Sequence, residues 1–474
     1  MQATSLNFKE NARQALHDRA LQKALVNLRA GFPGKRAKAI ARLPEFEALR
    51  DYGRDLKNHT LEHLDFYLEQ FEARVVEQGG RVHWARDAAE AREIVLGICR
   101  EAGAKTVTKG KSMVTEEIAL NEYLEANGVQ PIETDLGEYI IQLRGEHPSH
   151  IIAPAIHLNK EQVAEAFRAR HTERDPGRPL ESPPQMLKEA REILRAAFLH
   201  ADVGITGANF CIAETGSTVI VTNEGNGDLT QILPRVHVVV ASLEKIVPTV
   251  EDAMVLLRLL TRSATGQEIS VYTTFSNGAR RPGDADGPEQ FHVVLLDNGR
   301  SGMLGGEFQD MLRCIRCSAC MNHCPVYGAI GGHAYGWVYP GPMGAVLTPQ
   351  LIGIDQAGHL PNASTFCGRC ESVCPVRIPL PKLMRHWRER EFEKHLTPAA
   401  YRFGLGAWSF IASRPQLYRT LARLGARLLR RLGRDGRIRA LPLARGWTAW
   451  RDLPAPQGKT FQELWTDRHK GQRA

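Results

Sequence analysis

The stretch Cys314-Ile-Arg-Cys317-Ser-Ala-Cys320-Met-Asn-His-Cys324-Pro325 has the spacing C-x2-C-x2-C-x3-C-P. Bacterial iron–sulfur ligands follow this spacing. A second run, Cys367-Gly-Arg-Cys370-Glu-Ser-Val-Cys374-Pro375, brings the two runs to seven of the chain's nine cysteines. Thiolates are soft ligands, and the short spacers let successive sulfurs curl around one cluster. The runs therefore predict two iron–sulfur clusters, whereas a zinc ribbon would favour two separated CxxC pairs.

The two runs are expected to exchange ligands, because in two-cluster ferredoxins the fourth cysteine of a run ligates the other cluster. The first cluster, a [4Fe-4S], is predicted on Cys314, Cys317, Cys320 and Cys374. The second is predicted on Cys324, Cys367 and Cys370. A complete second run would place a cysteine where the chain has Ser364. The second site is therefore either a [3Fe-4S] cluster, or a [4Fe-4S] cluster closed by Ser364, water, substrate or another protein.

Composition is that of an ordinary globular protein of two or three domains, with 474 residues, 43% hydrophobic and 24% charged. The first ten residues have no apolar core of a signal peptide, and no apolar run approaches the ~18 residues of a membrane span. Clustered thiols without an export signal predict the cytoplasm, where thiols stay reduced. Cys99 and Cys211 have apolar neighbours and are predicted to be core residues.

The net charge of +8 is concentrated near residues 29–42 and in the tail after Arg414. No nucleic-acid motif accompanies these basic segments, so no nucleic-acid partner is predicted. In the tail, leucines share one helical face and arginines surround it. Such a helix suits an acidic partner, the inner face of the membrane, or simple packing on the core.

Strands and helices alternate from about residue 80 to residue 300, which predicts a mainly parallel sheet with helices on its faces. Among the predicted strands are residues 106–108, 151–153, 219–222, 237–241 and 269–272. Before this region, residues 1–60 read as basic helices, with a turn at Gly31-Phe-Pro-Gly34 separating two of them.

Three polar loops follow predicted strands, and ligands of parallel sheets bind at the carboxyl ends of strands. They are Lys109–Met113, Glu133–Glu138 and Gly204–Ser217. Each loop alone is more often an ordinary turn or a solvated acid, but three loops that converge at one edge of the sheet would form a candidate site. Its candidate catalytic residues are Lys109, Lys111, Asp135, Glu138 and Glu214.

Four segments of this region resemble the lactate-utilization domain: Lys109-Gly-Lys-Ser-Met-Val-Thr-Glu-Glu117, Glu133-Thr-Asp-Leu-Gly-Glu-Tyr-Ile-Ile-Gln142, Pro148-Ser-His-Ile-Ile-Ala-Pro-Ala-Ile-His157 and Ala213-Glu-Thr-Gly-Ser217. With the cysteine runs behind them, the chain resembles the lactate utilization protein B family from about residue 55 onward. The resemblance implies an isomerase/CoA-transferase-like α/β domain and cluster ligation by the seven cysteines. It also implies oxidation of L-lactate to pyruvate together with two partner proteins. Gly110 stands where a serine is expected.

The predicted architecture has four parts: N-terminal helices (1–60), the α/β domain (61–300), an α-helical ferredoxin-like two-cluster domain (301–395) and a basic helical region (396–474). The predicted function is electron transfer in L-lactate oxidation, with the electron acceptor left open. No flavin or nicotinamide fingerprint is recognised, and clusters alone do not accept a hydride. The alternative is a hydro-lyase or transferase that binds substrate at an open iron of the second cluster.

Overall fold

The computed structural model describes residues 3–441, 444–448 and 451–470. The chain forms two compact units, Met1–Glu391 and Phe392–Ala474. Both predicted functional regions, the α/β domain and the two cysteine runs, lie within the first unit.

Four helices precede the first strand: α1 (Phe8–His17), α2 (Arg19–Ala41), α3 (Phe46–Glu62) and α4 (Leu64–Glu77). The carboxylate of Asp18 caps α2 by accepting the backbone N–H groups of Ala20 and Leu21. The predicted turn at residues 31–34 is wrong, because α2 continues through Pro33. Proline removes one backbone hydrogen bond from a helix. Burial of the α2 side chains Leu25 and Leu28 offsets that loss.

The centre of the first unit is a six-stranded sheet of order β1-β10-β7-β4-β2-β3, in which all neighbours are parallel. Its inner strands are rich in valine and buried on both faces, as a covered parallel sheet requires. The predicted parallel α/β domain is thereby confirmed. The strands are β1 (Arg81–Ala85), β2 (Thr106–Gly110), β3 (Gln130–Glu133), β4 (Val203–Thr206), β5 (Phe210–Ile212), β6 (Ser217–Thr222), β7 (Val236–Ser242), β8 (Ile246–Val247), β9 (Tyr272–Ser276) and β10 (Gln290–Leu296).

Helices cover both faces of this sheet, and strands β8-β5-β6-β9 form a second, mixed sheet beside it. On one face, Val95 and Leu96 pack against sheet residues such as Val294. On the other, Phe71 and Val75 of α4 pack against Val293. The helices are α5 (Ala88–Glu101), α6 (Met113–Glu117), α7 (Leu120–Ala126), α8 (Leu136–Arg144), α9 (Lys160–Arg170), α10 (Pro183–His200), α11 (Asn226–Ile232) and α12 (Val250–Ala264).

Two of the predicted strands are corrected by the structure. Residues 151–153 form no strand, because the ring Nδ1 of His150 accepts the backbone N–H groups of Ile152 and Ala153, both at 3.1 Å. This local hydrogen bonding turns the chain instead of extending it. The strand predicted at 269–272 overlaps β9 only at Tyr272.

The cysteine runs lie in a region of short helices: α13 (Ala319–Asn322), α14 (Tyr327–Ile330), α15 (Gly341–Ile352), α16 (Ile354–Ala357), α17 (Arg369–Ser372) and α18 (Leu380–Glu393). Tyr327, Tyr335 and Tyr339 are among the largest fully buried side chains of the chain. This region shares one apolar core with the N-terminal helices and α12, through residues such as Phe46 and Leu256. The cluster region is therefore built into the first unit.

The second unit contains α19 (Ala399–Ala412), α20 (Pro415–Leu432), α21 (Arg445–Thr448) and α22 (Phe461–Lys470). Two short antiparallel strands, β11 (Arg437–Ile438) and β12 (Leu453–Pro454), pair within it. Phe403 and Trp408 of α19 are strongly exposed, at 80% and 64%. Within the described part of the chain, no helix has both the length and the apolarity needed to cross a membrane.

Candidate iron–sulfur centre and ligand cavity

The two cysteine runs repeat one local structure. In the first run Ser318 has a φ of +62° and leads into α13, which carries Cys320. In the second run Gly368 has a φ of +75° and leads into α17, which carries Cys370. A left-handed residue followed by one helical turn reverses the chain within three residues. The spacing C-x2-C thus produces the same turn twice.

The cysteines gather around two separate cavities, and each cavity takes residues from both runs. The first cavity contains Cys374 of the second run, and the second contains Cys324 of the first run. The other cysteines of the first cavity are Cys314, Cys317 and Cys320. The other lining residues of the second cavity include Cys367, Cys370 and Ser364. This grouping is the one that exchanged ligation of two clusters requires.

Backbone N–H groups point at sulfur in both cavities. The N–H of Ile378 donates to Cys374 Sγ at 3.3 Å, and that of Tyr327 donates to Cys324 Sγ at 3.5 Å. Hydrogen bonds of this kind stabilise charged sulfur and tune the reduction potential of a cluster. Thiols in groups of four and three, with N–H donors beside them, form a donor set that fits iron–sulfur clusters.

The second cavity lies closer to solvent than the first. Cys367 is exposed, and the N–H of Arg369 and the hydroxyl of Thr365 lower the pKa of its thiol. Ser364, at the position of the missing cysteine, accepts the N–H of Phe366 at 3.1 Å through its hydroxyl oxygen. Hydroxyl groups therefore occupy the place in this cavity where an eighth thiolate would complete the set of cluster ligands.

The loops after β2 and β3 meet at the carboxyl edge of the sheet, where a cavity of about 420 Å³ opens. Lys111, Asp135 and Glu138 line it, and Lys111 forms an ion pair with Asp135. The ammonium of Lys111 also lies 3.5 Å from a carboxylate oxygen of Glu224. The structure thus brings three of the five candidate catalytic residues together.

The other two candidates, Lys109 and Glu214, lie outside this cavity. Lys109 is buried and forms 2.7 Å ion pairs with Glu116 and Glu133. Glu214 is exposed and accepts the N–H of Val250 at 3.2 Å, at the beginning of α12. These contacts hold the loops that carry Lys109 and Glu214.

Burial and neighbouring charges shift the pKa values of two residues at this edge of the sheet. Burial alone would lower the pKa of Lys109, but the carboxylates of Glu116 and Glu133 raise it above its ordinary value. Burial, together with the charges of Glu133 and Asp135, holds the pKa of Glu138 well above its usual range. A carboxyl group with a raised pKa can hold a proton near neutral pH.

Two residues of the cavity wall escaped the sequence analysis, Lys245 and Arg316. Arg316 stands between Cys314 and Cys317 and lines both this cavity and the first cysteine cavity. Lys245 follows β7 at the same edge of the sheet, and burial lowers the pKa of its ammonium to about 8. The sequence offered one sign of Arg316, which is its position within the first cysteine run. The spacing of a run identifies the cysteine ligands and does not identify functional residues that lie between them.

A buried ion-pair network connects the cavity wall to the body of the sheet. Glu244 accepts a 2.9 Å hydrogen bond from Arg316, and Glu117 accepts 2.6 and 2.9 Å bonds from Arg300. Arg300 Nε lies 3.0 Å from Glu244 Oε2, an ion pair whose N–H is not aligned for a hydrogen bond. The hydroxyl of Tyr339 donates to Glu117 at 2.8 Å. The network therefore joins the α/β domain to the first cysteine run.

These features define an iron–sulfur protein in which a parallel α/β domain precedes a two-cluster domain. Comparison with protein families agrees, because residues 68–296 match the LUD domain and residues 310–378 match the 4Fe-4S dicluster domain. Residues 379–470 match the family described as lactate utilisation protein B, C-terminal. The chain belongs to the lactate utilization protein B family.

Relatives of that name match along almost the whole chain. Lactate utilization protein B of Bacillus licheniformis is 43% identical over 473 residues, covering 99% of this chain and 98% of its own. That of Bacillus subtilis is 42% identical, covering 98% and 97%. Among solved structures, a DUF162 family protein from Deinococcus radiodurans covers 49% of this chain and 98% of its own, with 16% identity and a TM-score of 0.26.

Proposed function

We propose that this chain is an electron-transfer protein that takes part in the oxidation of L-lactate to pyruvate. The observation that carries the proposal is the distribution of seven cysteines over two cavities, each built from both runs. Interlocked ligation holds two clusters close together, which suits single-electron transfer from one to the other. The family and its relatives' names supply the link to lactate.

We propose the following ligands. Cys314, Cys317, Cys320 and Cys374 hold a [4Fe-4S] cluster, and Cys324, Cys367 and Cys370 hold a [4Fe-4S] or [3Fe-4S] cluster in a ferredoxin-like domain. When bound, such clusters accept and release single electrons. Oxidation of lactate to pyruvate releases two electrons and two protons, so another component must carry out the two-electron step. Two partner proteins of a lactate-utilization complex would supply that step and the onward electron acceptor.

We place this complex in the cytoplasm, with α20 contacting the inner face of the membrane. One face of α20 exposes Leu424 and Leu428, at 56% and 59%. Arginines, among them Arg427 and Arg431, flank this face. An apolar stripe with cationic borders suits a layer of anionic headgroups.

A hydro-lyase or transferase is the second candidate function. Exposure of Cys367 and the hydroxyl groups of Ser364 and Thr365 favour it, because an incompletely thiolate-bound iron near solvent can bind substrate as a Lewis acid. Such an enzyme would convert its substrate alone, without an electron acceptor.

Anaerobic reconstitution tests the electron-transfer function. We expect L-lactate to reduce a redox dye only when the cluster-loaded chain and both partner proteins are present. Cys317→Ser and Cys370→Ser should each abolish this reduction, since each removes a ligand of one cluster. Cys99→Ala, which changes a buried cysteine outside the runs, is the matched control. Dye reduction that persists in both cluster variants would refute the proposal, and substrate conversion by the chain alone would favour the second function.

A further inference from the structure

The wall of the cavity at the sheet edge includes a largely buried lysine whose ammonium has no partner in the part of the chain that the structure describes. Lys245 is 7% exposed and lines the cavity. Among the described residues, its ammonium has no hydrogen bond or ion pair, whereas the neighbouring Lys111 is paired with Asp135. An ammonium at the end of a largely buried side chain that lines a cavity without a protein partner is expected to bind an anion there.

A second cation of the same wall has unused hydrogen-bonding capacity. Arg316 is 7% exposed and uses Nη2 to bind Glu244 at 2.9 Å. Its Nη1 is buried and, within the described chain, lacks a hydrogen-bond acceptor. Arginine presents its donors in a fixed planar fork that matches carboxylates. Lys245 and Arg316 together thus provide donors for one small oxyanion.

The remaining wall limits what that anion can be. Residues 151–156, Ile-Ile-Ala-Pro-Ala-Ile, supply a largely apolar surface. The other acidic and basic side chains facing the cavity, apart from the phenol of Tyr339, are Lys111, Asp135, Glu138 and Glu224. The ammonium of Lys111 faces two carboxylates if Glu138 is protonated and three if it is ionised, so in either case this part of the wall disfavours a second negative charge. A short monocarboxylate fits better than a dicarboxylate.

We propose that Lys245 and Arg316 bind the carboxylate of a short monocarboxylic acid directly beside the first cluster. Arg316 is the physical link, because it lies between Cys314 and Cys317 and lines both cavities. A negative charge bound there disfavours the addition of an electron to the cluster, so binding lowers its reduction potential. This inference deepens the proposed function and rests on it only for the choice of acids to test.

Equilibrium dialysis of the anaerobic, cluster-loaded full chain tests the site without partners or turnover. The probes are radiolabelled L-lactate, pyruvate, malonate and inorganic phosphate. We expect L-lactate or pyruvate to bind more tightly than malonate and phosphate. Lys245→Met should weaken that binding by about tenfold, the loss of one charge-assisted hydrogen bond. Lys105→Met, at an exposed lysine, should leave it unchanged.

Folding and cluster loading are checked in the same samples. Because Lys245→Met removes a buried unpaired charge, the melting temperature should not fall. A redox titration followed by electron paramagnetic resonance should show that the bound acid shifts the potential of the first cluster downward. In Lys245→Met this shift should disappear at the same acid concentration.

Several outcomes would overturn the inference. These are absence of monocarboxylate binding, equal binding by Lys245→Met, tighter binding of phosphate, and binding that leaves the first cluster's potential unchanged. Because no partner is present, none of them depends on whether the complex oxidises lactate. A chain that transfers electrons in the reconstituted mixture but binds no carboxylate would retain the proposed function and lose this site.

Discussion

At the scale of single residues, we expect Ser364 to decide the character of the proposed second cluster. Its side chain lines the same cavity as Cys324, Cys367 and Cys370. Ser364→Cys should complete the thiolate set and retain a [4Fe-4S] cluster on exposure to air, as measured by iron content and Mössbauer spectroscopy. Ser364→Ala is the companion variant, because it loses the fourth iron only if the serine oxygen is a ligand. Unchanged iron content and spectra in Ser364→Cys would show that position 364 does not face the cluster.

A second residue, His237, links stability to pH. Its ring lies in β7, 2.9 Å from the hydroxyl of Thr206, and burial lowers its pKa to about 3. The unfolded chain binds a proton here below about pH 6.5, while the folded chain does not, so this residue makes stability rise with pH. The expected contribution is roughly 0.8 kcal/mol between pH 6 and pH 7.5. His237→Gln should show a correspondingly smaller change of melting temperature between these pH values, and equal changes would contradict the assignment.

At this scale, the sequence predicts some residues of the candidate sites and not others. The seven cysteines proposed as cluster ligands were recognisable because the spacing within each run is local. Lys245 and Arg316 were not, since they meet only after β7 and the first run have folded against each other. The unpartnered state of a buried lysine is a property of packing, which no local pattern encodes.

At the scale of elements, local periodicity predicted the parallel sheet, because buried strands and amphipathic helices each leave their own repeat. Local periodicity gave a wrong prediction where a distant contact or a single side chain overrides the local pattern. Helix α2 continues through Pro33 because its buried leucines pack on other elements. His150 turns residues 151–153 by accepting their N–H groups, so an apolar triplet that resembles a strand lines a cavity instead.

Helix α20 carries a prediction of its own. The full chain should bind vesicles rich in anionic lipid and not zwitterionic vesicles, and salt should weaken the binding. The triple variant Arg419→Gln, Arg427→Gln, Arg431→Gln should lose about 3 kcal/mol of binding free energy, near 1 kcal/mol per arginine. Co-sedimentation measures this loss.

The control for α20 is an equal change of charge elsewhere. Arg168, Arg191 and Arg195 are exposed on α9 and α10, and their triple glutamine variant should bind vesicles like the parent chain. If both triple variants bind alike, net charge and not α20 attracts the chain to the membrane. If zwitterionic vesicles bind equally well, the arginines have no part in the contact.

At the scale of the whole molecule, Arg300 holds the α/β domain and the cluster region together. Its guanidinium is 1% exposed and pairs with Glu117, which also accepts the hydroxyl of Tyr339. Arg300→Met leaves the buried Glu117 without its cation and removes one of the two cations of Glu244, which should cost about 3–5 kcal/mol of unfolding free energy. The paired variant Arg300→Met with Glu117→Gln should recover part of that loss, as measured by anaerobic thermal unfolding.

Arg280→Met, which breaks an exposed pair with Glu289, should change stability by less than about 0.5 kcal/mol. Since Glu244 links Arg300 to Arg316, the first cluster's resonance spectrum should change in Arg300→Met and not in Arg280→Met. Equal stabilities for these two single variants would mean that the apolar core alone joins the two regions.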